Sequence, residues 1–159
     1  MRWRNIKFFI LVAYLFLGTV NAYSNENWFQ YKYDSRHSGN MPERNVTVPM
    51  GLAGTVPLTD AIFTAPVVAD NYIYIVDGSG VAFCIDAETL SVEWKFQTGS
   101  GKMNCNNVSS PAIAGNYLHF GTIASSYYVL DTTDGTVVKE ITCDGPILST
   151  PVVANGRVY

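Results

Sequence analysis

Pro66-Val67-Val68-Ala69-Asp70-Asn71-Tyr72-Ile73-Tyr74 returns as Pro111-Ala112-Ile113-Ala114-Gly115-Asn116-Tyr117-Leu118-His119. It returns again as Pro151-Val152-Val153-Ala154-Asn155-Gly156-Arg157-Val158-Tyr159. The first two copies lie 45 residues apart and the last two lie 40 apart. A period in the forties marks a repeat architecture, in which each unit buries its apolar face against the next. The first two copies stay in step beyond this stretch, with Phe83 on Tyr128, Ile85 on Leu130 and Asp86 on Asp131.

Each unit reads as strands. Val67 to Ala69 is short and partly β-branched, and Tyr72 to Val76 is rich in strand formers. Asp77-Gly78-Ser79-Gly80 supplies turn chemistry. Val81 to Ile85 makes a third strand, Asp86 to Ser91 turns, and Val92 to Gln97 makes a fourth. Short strands at even spacing predict a sandwich, a barrel or a propeller. Four strands per unit with this period select the propeller. The expected fold class is therefore all-β, a β-propeller of four-stranded antiparallel blades. About two to three blades are present and the ring is incomplete, as in a truncated N-terminal part of a longer protein.

Working outward, the N-terminus has a different composition. Arg2, Arg4 and Lys7 precede an uncharged apolar run from Phe8 to Val20, and Val20-Asn21-Ala22 offers a cleavage site. That is the layout of a signal peptide over residues 1–22, with an uncleaved anchor as the alternative. No Cys follows the run at once, so a lipid-anchored start is not supported. Residues 23–56 form an N-terminal lead-in, or an outer strand that helps close the ring. Residues 57–159 carry the blades. The expected location is periplasmic or extracellular, with no transmembrane segment in the mature chain.

The chain of 159 residues is 48% hydrophobic and only 14% charged, which excludes a disordered segment. Residues 1–22 hold three of its ten basic residues and none of its thirteen acidic ones, so the remainder carries a net −6. An acidic surface offers no phosphate-attracting patch, which argues against nucleic acid as a partner.

The units are similar to the pyrroloquinoline-quinone (PQQ) type of propeller repeat, which runs small-x-Asp-x-x-Thr-Gly-x-x-x-Trp after a Pro-Val-Val-Ala strand. In the first unit Pro66, Asp86, Thr89 and Trp94 match, while Cys84 and Leu90 replace the usual Ala and Gly. In the second, Pro111, Asp131 and Gly135 match, while Val129, Asp134 and Lys139 stand at the Ala, Thr and Trp positions. Pro151 opens the third. Trp28, Asp34, Arg36, Ser38 and Gly39 look like the openings of exported members. The resemblance implies that Trp94 docks on the next blade and that Asp86 and Asp131 are turn residues. It also implies that Lys139 leaves the second junction weaker or differently packed.

Chemistry-bearing residues are sparse. Cys105 and Cys143 occupy related connections between units, and a disulfide between them would staple neighbours; the alternative is two free thiols. Cys84 reads as a small buried core residue. Asp131-Thr132-Thr133-Asp134-Gly135 lacks the alternating oxygen ligands and closing Glu of a calcium loop, so it reads as a turn. His37 and His119 have no ligand at metal spacing and read as packing or surface residues. Asn45-Val46-Thr47 and Asn107-Val108-Ser109 fit the glycosylation sequon.

No catalytic constellation emerges, and no metal site. The expected function is an exported, non-catalytic binding or scaffold propeller, leaning away from an enzyme, whose partner is a protein, peptide or polysaccharide. An oligomer is expected only if the chain is naturally this short. The resemblance also implies an alternative. The chain would then be part of a quinoprotein dehydrogenase, with PQQ and calcium as cofactors.

Overall fold

A computed structural model describes residues 27–41, 48–99 and 107–159. The signal-peptide expectation, the Asn45 sequon and Cys105 lie outside these residues.

The described chain forms ten strands: β1 (Val67–Ala69), β2 (Tyr72–Val76), β3 (Val81–Asp86), β4 (Val92–Gln97), β5 (Ala112–Ala114), β6 (Tyr117–Gly121), β7 (Ser126–Asp131), β8 (Val137–Thr142), β9 (Val153–Ala154) and β10 (Arg157–Val158). They build two four-stranded antiparallel sheets in the order β1-β2-β3-β4 and β5-β6-β7-β8, followed by the hairpin β9-β10. The 45-residue offset holds for every strand boundary of the two sheets. It also holds for the bulge, which falls between Cys84 and Ile85 in one and between Val129 and Leu130 in the other.

The repeat extends to the turns. The amide of Asp77 donates to the carbonyl of Val81, as that of Thr122 donates to Ser126. Asp86 donates to Ser91 and Asp131 to Thr136; Ala87 donates to Asn71 and Thr132 to Asn116. The buried carboxylate of Asp77 holds its turn by accepting from the amides of Ser79 at 3.1 Å and Val81 at 3.0 Å, and from Thr59 Oγ1. Thr122 does the same work with a hydroxyl, which accepts from the Ser126 amide and donates to its carbonyl. A turn of fixed shape thus accepts either side chain, because each presents an acceptor oxygen at the same place.

Successive sheets meet face to face. The main core is shared between them: Tyr74, Val76, Ala82 and Cys84 from the first pack with Leu118, Phe120, Tyr128 and Leu130 from the second. Strand alternation explains this, since residues two apart point to one face. The other face of the first sheet, with Ile75, Val81, Phe83 and Ile85, is covered by Val56 and Leu58. Strand β1 lies beside β5, and β5 beside β9, so the first strand of each unit is innermost. Strands β4 and β8 form the outer edges, and every residue of β8 is exposed. These are the blades of an open propeller, all-β as expected.

Candidate functional site

Two places draw on residues from more than one blade: the junction between the first two blades, and the innermost edge.

The junction is keyed by Trp94 on β4. Its Nε1 donates to the carbonyl of Thr132 in the next blade at 3.0 Å. Its ring lies over Gly135, where an added Cβ would meet the indole at 2.7 Å, and Gly135 has φ +73°. Glycine therefore satisfies two demands here, a left-handed backbone and a close aromatic approach. Tyr74 lies 5.9 Å from Trp94, ring to ring, and its hydroxyl also points to the Thr132 carbonyl, at 3.4 Å. The docking role implied for Trp94 is what the geometry displays.

The turn residues of the repeat follow the same logic. Asp86 Oδ1 accepts from the amides of Glu88 and Thr89 at 2.8 and 2.7 Å and from the Thr89 hydroxyl at 3.1 Å. The Thr89 amide holds its carboxyl below the ordinary value. Asp131 accepts from Thr133 at 2.8 Å. Asp134, at the Thr position, accepts from the amide and hydroxyl of Thr136, and that amide bond lowers its carboxyl. Leu90, at the Gly position, adopts φ +61°, a conformation that costs a non-glycine residue about 1–2 kcal/mol. Pro111 and Pro151 are buried where they open β5 and precede β9, while Pro66 is exposed.

Beside the junction is a cleft of about 250 Å³ lined by Asp70, Tyr72, Tyr74, Cys84, Glu93 and Thr132, among others. Cys84 is buried and packs in the shared core, and burial pushes its thiol up to about 11. Burial likewise raises Tyr74.

The second junction differs. His119 stands at the Tyr74 position, opposite Ala112 as Tyr74 is opposite Val67. It is buried, its Nδ1 is 3.2 Å from the Tyr127 hydroxyl, and burial lowers its basicity. Lys139, at the Trp position, is exposed. Gly121 lets Ile147 of the incoming connection approach to within 2.2 Å of where a Cβ would sit. Cys143 is a free, half-buried thiol. Asn107 is fully buried, its amide donating to the Gly78 carbonyl at 3.0 Å, so its sequon is closed to a glycan in the folded chain. Both polar atoms of its side chain lack a hydrogen-bond partner.

The innermost edge is occupied by the lead-in, which here runs along inner strands and not as an outer strand. Trp28 exchanges both backbone bonds with Val68 of β1, at 2.6 and 2.9 Å. The carbonyl of Phe29 accepts from Ile113 of β5 at 2.7 Å. The carboxamide of Gln30 donates to the Val153 carbonyl of β9 at 2.9 Å and accepts from its amide at 3.2 Å. Val68, Ile113 and Val153 are the same position of three successive repeats. Three consecutive residues therefore bridge three consecutive blades. The chain then turns back, with the Tyr33 amide on the Gln30 carbonyl and positive φ at Lys32 and Tyr33. Asp34 accepts from Ser38 and Arg36 in the following loop, and the Ser38 amide lowers its carboxyl most. His37 packs edge-on against Tyr31. The repeat-family resemblance marks Trp28, and nothing in the sequence gives Gln30 a role. Its only signal is an amide side chain two residues after the Trp.

Among the described residues no three His, Cys, Asp or Glu side chains lie close enough to hold a metal ion. The buried carboxylate of Asp77 is engaged by its own turn.

No protein-family profile matches the sequence. The chain is 29% identical over 96 residues to the outer membrane protein assembly factor BamB of Salmonella typhimurium, covering 57% of this chain and 24% of that protein. It is 28% identical over 93 residues to Escherichia coli BamB, covering 55% and 24%. The chain thus spans about a quarter of the length of the curated relatives it matches. Among solved structures, quinohemoprotein alcohol dehydrogenase from Comamonas testosteroni is similar with a TM-score of 0.69 at 21% identity, over 83% of this chain and 22% of that one. BamB from Moraxella catarrhalis is similar with a TM-score of 0.52 at 21% identity, over 62% and 31%. At these identities the structures speak for the fold.

Proposed function

We propose that this chain, a member of the PQQ-repeat β-propellers, belongs to an exported protein-binding scaffold that serves the assembly of outer-membrane proteins. The observation that carries the reading is the match to BamB over more than half of the chain, reached by sequence as well as by fold. The site chemistry agrees with it. Asp77, Asp86, Asp131 and Asp134 are spent on turns, and among the described residues large apolar side chains such as Leu52, Met50 and Leu148 are exposed. Such surfaces suit polypeptide partners. Under this reading the protein works in the periplasm, and its cofactor requirement is none.

The test is photo-crosslinking in the native host envelope from exposed positions such as Leu148 and Val138. Crosslinks to envelope proteins support the scaffold. Stoichiometric binding of PQQ with calcium to the native protein in calorimetry would overturn it in favour of the dehydrogenase reading, which the fold likeness to quinohemoprotein alcohol dehydrogenases keeps in view.

A further inference from the structure

Phe63, Val108 and Leu148 occupy one position of three successive repeats, each three residues before the Pro that opens the unit, Pro66, Pro111 or Pro151. All three are exposed, at 53, 38 and 63%. The residues that follow them tie the three segments side by side. The amide of Ala65 donates to Ser110 Oγ at 2.9 Å, and Ser109 Oγ donates to the carbonyl of Ser149 at 2.8 Å. The three side chains therefore form a row, one per blade, on the connections that enter the blades. Neighbouring blades pack on the faces of a sheet, as Phe120 and Tyr128 do against the first. That packing leaves the end of the sheets, where these connections lie, open. The other end, where β1 turns into β2 and β3 into β4, carries Asp70, Asp86 and Glu88, and in the second blade Asp131 and Asp134. A single exposed apolar residue needs no explanation, but the same position exposed in three adjacent repeats does.

Charge selects the occupant. Among the described residues, these connections and the turns beside them hold no Lys or Arg. They hold exposed carboxylates at Asp60, three residues before Phe63, and at Asp144, four residues before Leu148, so each end of the row has one. These groups repel an anionic lipid surface. A second copy docked by two-fold symmetry would set carboxylate against carboxylate. A polypeptide whose apolar side chains lie between two basic residues matches both the row and its ends. We propose that the row of Phe63, Val108 and Leu148 is a docking surface for such a segment of a partner protein, with Asp60 and Asp144 receiving a Lys or Arg at either end. The proposal deepens the protein-binding reading and rests on it.

The experiment uses the full chain and a short fluorescein-labelled peptide in which Leu and Thr alternate between a Lys at each end. Fluorescence anisotropy at low ionic strength is expected to show saturable binding. Leu148→Ser is expected to weaken it about tenfold, the loss of one apolar side chain from the contact. Val138→Ser, at a position of β8 that is 53% exposed and lies outside the row, is expected to leave it unchanged. A peptide with Glu in place of both Lys is expected to bind about fivefold more weakly, since two exposed charge pairs are lost. Asp60→Lys combined with Asp144→Lys is expected to invert that preference. If Leu148→Ser loses its β-sheet circular dichroism, the charge reversal carries the test. No binding, equal effects of Leu148→Ser and Val138→Ser, or an unchanged preference for the Lys peptide after the charge reversal overturns the proposal. Binding to phosphatidylcholine vesicles in place of the peptide assigns the row to a lipid surface and overturns it. Self-association that Leu148→Ser abolishes assigns the row to a second copy and also overturns it. Failure here with envelope crosslinks from Val138 intact removes the row but not the scaffold.

Discussion

The two junctions of this propeller share a backbone and differ in what seals them. In the first, Trp94 and Tyr74 converge on the Thr132 carbonyl, and the blades close over Phe120, Leu130 and Cys84. In the second, His119 and Lys139 stand where Tyr74 and Trp94 stood, and Ile147 presses on Gly121. The entering connections differ in the opposite sense: the first buries the polar Asn107, the second sets the half-buried, apolar Ile147 against Gly121. Blade geometry is thus set by the turns and the strand ladder, and each interface is sealed locally.

The strongest way to break the contrast is Trp94→Ala. It removes an aromatic key and both contacts to blade two, and is expected to cost about 3 kcal/mol in urea unfolding. Lys139→Ala, the matching change in the second junction, is expected to cost less than about 0.5 kcal/mol. Equal effects would mean that the junctions are equivalent after all.

Gly135→Ala comes next, at about 2 kcal/mol, since it adds a Cβ into the indole and forces a non-glycine residue to φ +73°. Combined with Trp94→Ala the loss is expected to be less than additive, because the clash disappears with the ring.

Asn107→Leu sharpens the comparison of the entering connections. Replacing a buried amide without partners by an apolar group of similar size is expected to stabilise by about 1 kcal/mol, read as a raised Tm. A lowered Tm would show that the amide holds something in place, such as an ordered water.

The smallest effect is a dependence on pH. Burial lowers His119 from its ordinary 6.5, so the unfolded chain takes up its proton first. Its contribution is complete above about pH 6.5 and falls as pH drops through the folded value. The urea midpoint is expected to fall between about pH 7.5 and pH 5.5, and His119→Tyr, which restores the residue of the first blade, to flatten that window. Asp86 and Asp134 are lowered too, so their contribution is present above about 3.8 and lost only as pH falls further, in a separate acid limb. An unchanged window in the His119 variant would assign it to another group.

The repeat was legible in the sequence because strand addition within a blade is local. Tyr74 and Val76 alternate with Ile73 and Ile75, as Ala82 and Cys84 do with Val81, Phe83 and Ile85, and Asp86 and Gly135 mark turns whose hydrogen bonds span only a few residues. The strand boundaries, the turns and the place of Trp94 followed from these signals, the last through resemblance. The His119 for Tyr74 exchange was readable by alignment of the units.

The lead-in was not. Its bonds reach 40 residues to Val68 and 123 to Val153, and half run between backbone groups that every residue carries. No pattern of side chains announces them. The sequence by itself determined the blades, their order and the chemistry of their turns, because those are decided by periodicity and by glycine and carboxylate placement. Only the tertiary structure decided that residues 27–30 bridge three inner strands, that the side chain of Asn107 is buried without hydrogen-bond partners, and that Ile147 packs on Gly121, because each depends on which free edge and which face a distant segment meets.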